Sequence, residues 1–176
     1  MTKELDWNHA TDDIPETGLK LERTATPDER DAVAEALDLL SCSSLAAHYD
    51  LAPRGGGHFR LTGSLKAQVE QSCVVTLEPL TNEVAASFSV DYWPENELPE
   101  PSGGIVDVHE DADLEPIVGK QIKVGRVVFD ALAGAIDLFP RKPGAVLEAS
   151  EAIPKGSSPV EPASPFAALA KIKNKL

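Results

Sequence analysis

The sequence of 176 residues has few cysteines, few aromatic residues and no long apolar run. Only Cys42 and Cys73 are present, so we predict two free thiols and not a small disulfide-stabilised secreted fold. Aromatic residues make up 5% of the chain, which predicts a modest core of Leu, Val and Ala. No segment approaches the roughly 20 apolar residues that cross a bilayer, and the first residues do not resemble a secretion signal. We therefore expect a soluble, cytoplasmic protein without membrane contact.

Positive charge is also scarce, since 16 Lys and Arg residues face 29 Asp and Glu residues and the net charge is −13. Such a charge repels polyphosphate and argues against a freestanding nucleic-acid binder. Nine acidic residues and no Lys or Arg lie between Asp91 and Pro116, whereas six basic and three acidic residues follow from Arg141 onward. The acidic stretch predicts a partner-binding face at Asp107, Glu110, Asp111 and Asp113.

Local patterns predict one well-defined helix near the N-terminus and another near residue 130. Thr26, Pro27 and Glu29 form a capping-box pattern that begins the first helix. The second helix follows Gly125, and it is stopped by two prolines, Pro140 and Pro143.

Strict alternation of apolar and polar residues from Phe59 to Cys73 predicts a half-exposed strand, in which Gly63 is a candidate bulge. Similar alternation predicts strands over 45–51 and 84–92, and a short strand is predicted over 18–24. We therefore predict an α+β fold in which an antiparallel sheet of about four strands, a meander, packs with two main helices.

The composition divides the chain into two parts. Residues 1–144 are predicted to form one domain, with an exposed acidic loop near 94–116 that is rich in Pro, Glu and Gly. Residues 145–176 are predicted to be a flexible tail whose short, basic, amphipathic end carries Lys171, Lys173 and Lys175.

The sequence contains no recognisable catalytic, cofactor-binding or metal-binding motif. The four histidines are scattered, and no phosphate-cradling glycine loop or nucleophile elbow is present. Cys73 ends a predicted strand without a helix N-terminus behind it, so we interpret it as a small buried apolar residue. We expect no catalytic residue, cofactor or metal, and a protein that acts by binding a partner.

Several stretches of the chain resemble the YceD family, in the form typical of alphaproteobacterial members. The stretches are GLKLERTATPDERDAVAEALDLLSCSSL, QSCVVTLEPLTNEV, the region from Leu114 to Ala145 that ends DLFPRKPGA, and the closing SPFAALAKIK. The family-motif positions among them are Cys73, Glu78, Pro79, Pro140, Pro143 and Gly144. Many relatives carry C-x-x-C at Cys73, but Thr76 replaces the second cysteine here, and one thiolate cannot hold a structural zinc.

The resemblance implies a role in accumulation of 23S ribosomal RNA and in large-subunit assembly, with no enzymatic activity. It leaves three mechanisms and the oligomeric state open. The acidic face could bind a ribosomal protein or an assembly intermediate. Alternatively, the chain could contact rRNA directly through Arg141, Lys142, Lys171, Lys173 and Lys175. The third alternative is a metal-dependent RNA hydrolase built on the acidic cluster.

Overall fold

The computed structural model describes residues 5–98 and 113–146, and those up to Ala145 belong to one compact unit. The predicted tail over 145–176 therefore lies almost entirely outside the described residues. The described elements, in chain order, are β1 Asn8–Ala10, β2 Leu19–Thr24, α1 Pro27–Ala36, β3 Ser41–Gly55, β4 His58–Ser72, β5 Pro79–Pro94, β6 Asp113–Ile117, β7 Gln121–Lys123 and α2 Val124–Ala135. Single 3₁₀ turns are found at Thr11–Asp13 and Glu95–Glu97.

The main sheet has five strands in the order β2-β3-β4-β5-β6, and a separate two-stranded sheet joins β1 to β7. The α+β class is confirmed, and the four predicted strands are consecutive antiparallel neighbours. The antiparallel meander of about four strands is nevertheless wrong, because β6 pairs in parallel with β5 and makes the sheet mixed.

The strand β6 was missed because its sequence, DLEPI, has no regular alternation and contains Pro116. Proline cannot donate a ladder hydrogen bond, but it is tolerated here because β6 is an edge strand of the sheet. The predicted acidic loop near 94–116 is therefore wrong at its end, where Asp113–Ile117 form this strand.

The core lies against one face of the main sheet. Alternate residues of β4 are buried while their neighbours are exposed, which confirms the half-exposed strand. The helix α1 packs along β3, and α2 packs against β4 and β5. Trp7 is 1% exposed and belongs to the same core cluster as Val33 of α1 and Leu132 of α2.

The predicted capping box at the start of α1 is confirmed. The amide of Glu29 donates to Thr26 Oγ1 at 3.3 Å, and the amide of Thr26 donates to Glu29 Oε2 at 2.8 Å. The indole of Trp7 also donates to Glu29 Oε1 at 3.1 Å, so the N-terminal segment is attached to this helix end.

The bulge predicted at Gly63 is wrong, because Gly63 pairs in regular register with Tyr49 of β3 and Phe88 of β5. Packing explains the glycine instead. A Cβ atom at this position would lie 2.5 Å from the carbonyl oxygen of His48 and 2.6 Å from the ring of Phe88. The register shifts of β3 lie near its two ends.

In the part of the chain that the structure describes, no helix is long and apolar enough to cross a membrane.

Candidate functional site

Two stretches that are far apart in sequence meet at one end of the main sheet. We call them the Cys73 turn, residues 73–78 between β4 and β5, and the Pro140 segment, residues 137–144 after α2. The amide of Val74 donates to the carbonyl oxygen of Pro140 at 2.9 Å, and the amide of Lys142 donates to Cys73 Sγ at 3.3 Å. These are the stretches whose residues resemble the YceD motifs.

The Cys73 turn has a compact backbone that closes the hairpin between β4 and β5. Ser72 pairs with Pro79 in the sheet, and the amide of Cys73 donates to the carbonyl oxygen of Glu78 at 2.9 Å. The amide of Leu77 donates back to the carbonyl oxygen of Cys73 at 2.9 Å, and Leu77 adopts a left-handed φ of 59°. The family-motif positions Cys73, Glu78 and Pro79 are thus brought together.

The thiol of Cys73 is an acceptor at the centre of this junction. It is a free cysteine that is 0% exposed, which confirms the expected burial. Hydrogen bonds from Thr76, then from the amide of Lys142, lower its pKa from 9.0 to about 6, although burial acts in the opposite direction. Cys73 is therefore a small buried residue as expected, and its sulfur in addition accepts one of the hydrogen bonds that link the two stretches.

Gln71 adds a further link between the sheet and the Pro140 segment. Its side chain is 8% exposed, Nε2 donates to the carbonyl oxygen of Asp137 at 2.8 Å, and Oε1 accepts from Asn82 Nδ2 at 3.1 Å. In the alternation from Phe59 to Cys73, Gln71 occupies a position of the apolar face. A polar residue at such a position indicates a hydrogen-bonding partner in the core, because buried polar groups need partners.

Four large apolar side chains are exposed around this junction, and we call them the motif face. The exposed fractions are 44% for Val74, 77% for Leu77, 76% for Leu138 and 69% for Phe139. The two stretches that carry them are joined by the hydrogen bond from Val74 to Pro140, and exposed apolar side chains gathered in this way are typical of an interaction surface, whereas single ones are ordinary. This face was not predicted from the sequence, because nothing in the pattern showed that the two stretches meet.

An ion pair crosses the junction beside the motif face. Lys142 Nζ lies 2.8 Å from Glu78 Oε2, and the two side chains are 47% and 55% exposed. The hydrogen bond from Lys142 lowers the pKa of Glu78, and the same bond raises the pKa of Lys142. Lys142 is therefore already paired with Glu78. Its neighbour Arg141 is also exposed.

The other predicted site residues are placed as follows. Pro140 is buried, Pro143 is exposed, and Gly144 adopts a positive φ of 81°. Asp113 is exposed at the start of β6. The remaining members of the predicted acidic face and of the predicted basic contacts lie outside the described residues: Asp107, Glu110, Asp111, Lys171, Lys173 and Lys175.

Within residues 5–98 and 113–146, no group of three or more His, Cys, Asp or Glu side chains is arranged to hold a metal ion.

Comparison with known proteins gives one match. The model of a family described as "Large ribosomal RNA subunit accumulation protein YceD" matches residues 61–173, which is more than half of the chain. The matched range includes both the Cys73 turn and the Pro140 segment. Neither a curated protein nor a solved structure matches the chain at a significant level.

Proposed function

This chain belongs to the YceD family, and we propose that it supports 23S rRNA accumulation and large-subunit assembly by binding a protein. The family description links the chain to accumulation of large-subunit ribosomal RNA and names no reaction. The proposed partner is a ribosomal protein or an assembly intermediate, and the proposed action is binding without catalysis.

The motif face is the observation that carries this proposal. It presents Val74 and Leu77 from one stretch of the matched range and Leu138 and Phe139 from another. Hydrogen bonds between the two stretches hold the backbone that carries these side chains. A surface that is ordered before binding loses less conformational entropy when a partner docks, which favours affinity.

The charge of the chain supports a basic protein as partner. The net charge of −13 attracts cationic proteins, and complementary charge accelerates encounter and selects partners. In this mechanism the rRNA accumulates because one of its proteins is delivered or retained, so the effect on rRNA is indirect.

Direct binding of rRNA is less well supported by the described residues. Of the cations that would contact phosphate, Lys142 is paired with Glu78. Arg141 is exposed, and the other candidate cations lie outside the described residues. The net charge of −13 also repels the phosphates whose contacts dominate RNA affinity. The hydrolase alternative would depend on acidic residues that lie mostly outside the described residues.

Affinity capture of the tagged full chain from lysate, with and without RNase, tests the proposed function. We expect specific large-subunit proteins or assembly factors to remain bound after RNase treatment. Loss of all ribosomal material together with the RNA would contradict protein binding and favour direct RNA contact. Magnesium-dependent RNA cleavage by the purified chain would contradict the absence of catalysis.

A further inference from the structure

We propose that the motif face docks a basic protein segment that carries bulky apolar side chains, and that one of its cations replaces Lys142 on Glu78. This inference rests on the proposed function and specifies the surface and the chemistry of the partner.

The apolar part of the proposal follows from how the four side chains are presented. Leu77 projects from a turn closed by two backbone hydrogen bonds. Phe139 follows a local turn in which its own amide donates to Asp137 Oδ1 at 2.9 Å. Leu138 and Phe139 remain 76% and 69% exposed although both neighbouring residues, Asp137 and Pro140, make hydrogen bonds to the sheet end. Large apolar side chains on an ordered backbone lose apolar surface to a docking partner at little cost in conformational entropy.

The basic part follows from charge complementarity. The described residues carry 21 Asp and Glu against 11 Lys and Arg, so the body behind the motif face is acidic. Glu78 and Asp137 border the face itself, where the exposed Arg141 and Lys142 balance them, so the attraction comes from the acidic body. A cationic segment is attracted to this field, whereas the phosphates of RNA are repelled by it.

The Glu78–Lys142 pair supplies the place where a partner's cation would bind. Both side chains are about half exposed, and ion pairs in such positions contribute little to folding stability. Lys142 can therefore leave Glu78 without unfolding the junction, because its amide still donates to Cys73 Sγ. An arginine of the partner would bind the carboxylate through two parallel hydrogen bonds, which a lysine cannot do.

The test uses the proteins extracted from purified large ribosomal subunits after complete RNase digestion. These are passed over the immobilised full chain, bound proteins are identified by mass spectrometry, and the dissociation constant of the best-retained one is measured. The test variant is Leu77→Ser with Phe139→Ser. The matched control is Leu114→Ser with Val118→Ser, which removes two apolar side chains that are 37% and 50% exposed, in and just after β6, beside the end of β5 that is distant from the Cys73 turn.

We expect the Leu77→Ser, Phe139→Ser variant to weaken binding about tenfold or more, because both residues would anchor the interface. The control pair should change the dissociation constant less than about twofold, as peripheral positions do. Glu78→Gln should weaken binding and reduce its salt dependence, whereas Lys142→Gln should leave binding equal or tighter. Thermal melting of every variant checks that the fold is kept.

The outcomes distinguish this inference from the proposed function. If the wild-type chain retains no ribosomal protein, the proposed function fails and the docking inference fails with it. If it retains one that the Leu77→Ser, Phe139→Ser variant binds equally well, only the docking inference is overturned. If protein-free 23S rRNA fragments bind the wild-type chain but not this variant, the occupant is RNA and the inference is overturned.

Discussion

Replacing Gln71 with Met tests whether the Pro140 segment is held to the sheet as the structure indicates. Gln71 is buried, and its side chain donates to the carbonyl oxygen of Asp137 and accepts from the side-chain amide of Asn82. Met has a similar volume, so the change removes two hydrogen bonds without creating a large cavity. The variant therefore isolates the polar link.

The expected loss of stability follows from the two hydrogen bonds that the substitution removes. Each hydrogen bond contributes about 0.5–1.5 kcal/mol net, so the loss of two lowers the free energy of unfolding by about 1–3 kcal/mol. For a chain of this size, a loss of about 2 kcal/mol lowers Tm by roughly 4–8 °C. The amides of Val74 and Lys142 should also exchange faster with solvent, because both donate across the same junction.

Urea denaturation gives the free energy, and amide hydrogen exchange reports on the junction itself. Gln68→Met is the matched control, since Gln68 is an exposed residue of the same strand whose side chain accepts from the exposed Ser43. Its effect should stay within about 0.5 kcal/mol. Equal unfolding free energies for the Gln71 and Gln68 variants, with unchanged exchange at Val74 and Lys142, would refute the reasoning.

Three further substitutions test other contacts. Thr26→Ala removes the acceptor for the Glu29 amide, so urea denaturation should show a loss of about 1 kcal/mol that Thr26→Ser does not share; equal losses would argue against the capping box. Gly63→Ala places a methyl group against the Phe88 ring, and we expect a loss of about 1–3 kcal/mol in the same assay; a neutral effect would contradict the packing argument. Cys73→Ser removes a thiol whose pKa is lowered to about 6, so the stability advantage of the wild-type chain should be largest above pH 9 and shrink as the pH falls to 6. An advantage that does not vary with pH would count against the thiolate.

The elements with local signals were predictable from the sequence. The capping box at Thr26 begins α1 because its side-chain bonds form within one turn. The alternation over β4 marks a buried face because each second residue of a strand points the same way. The strands β1 and β6 were not predicted, since they are short and their existence depends on partners far away in the chain.

The site was predictable only in pieces. The motif residues of each stretch could be identified, but the contact between Val74 and Pro140 depends on how α2 packs against the sheet. The role of Cys73 was missed because the donors that lower the pKa of its thiol come from Thr76 and from Lys142, 69 positions further along the chain. The exposure of Leu138 and Phe139 could not be predicted either, because large apolar residues are generally expected to be buried.

The central claim is that the motif face acts in large-subunit assembly, and complementation in the native host tests it most directly. The gene is deleted, and the ratio of 23S to 16S rRNA is measured in cells that express the wild-type chain, the Leu77→Ser, Phe139→Ser variant or the Leu114→Ser, Val118→Ser control at equal levels. The account predicts that the wild-type chain and the control restore the ratio and that the motif-face variant does not. Full restoration by the motif-face variant would contradict the claim.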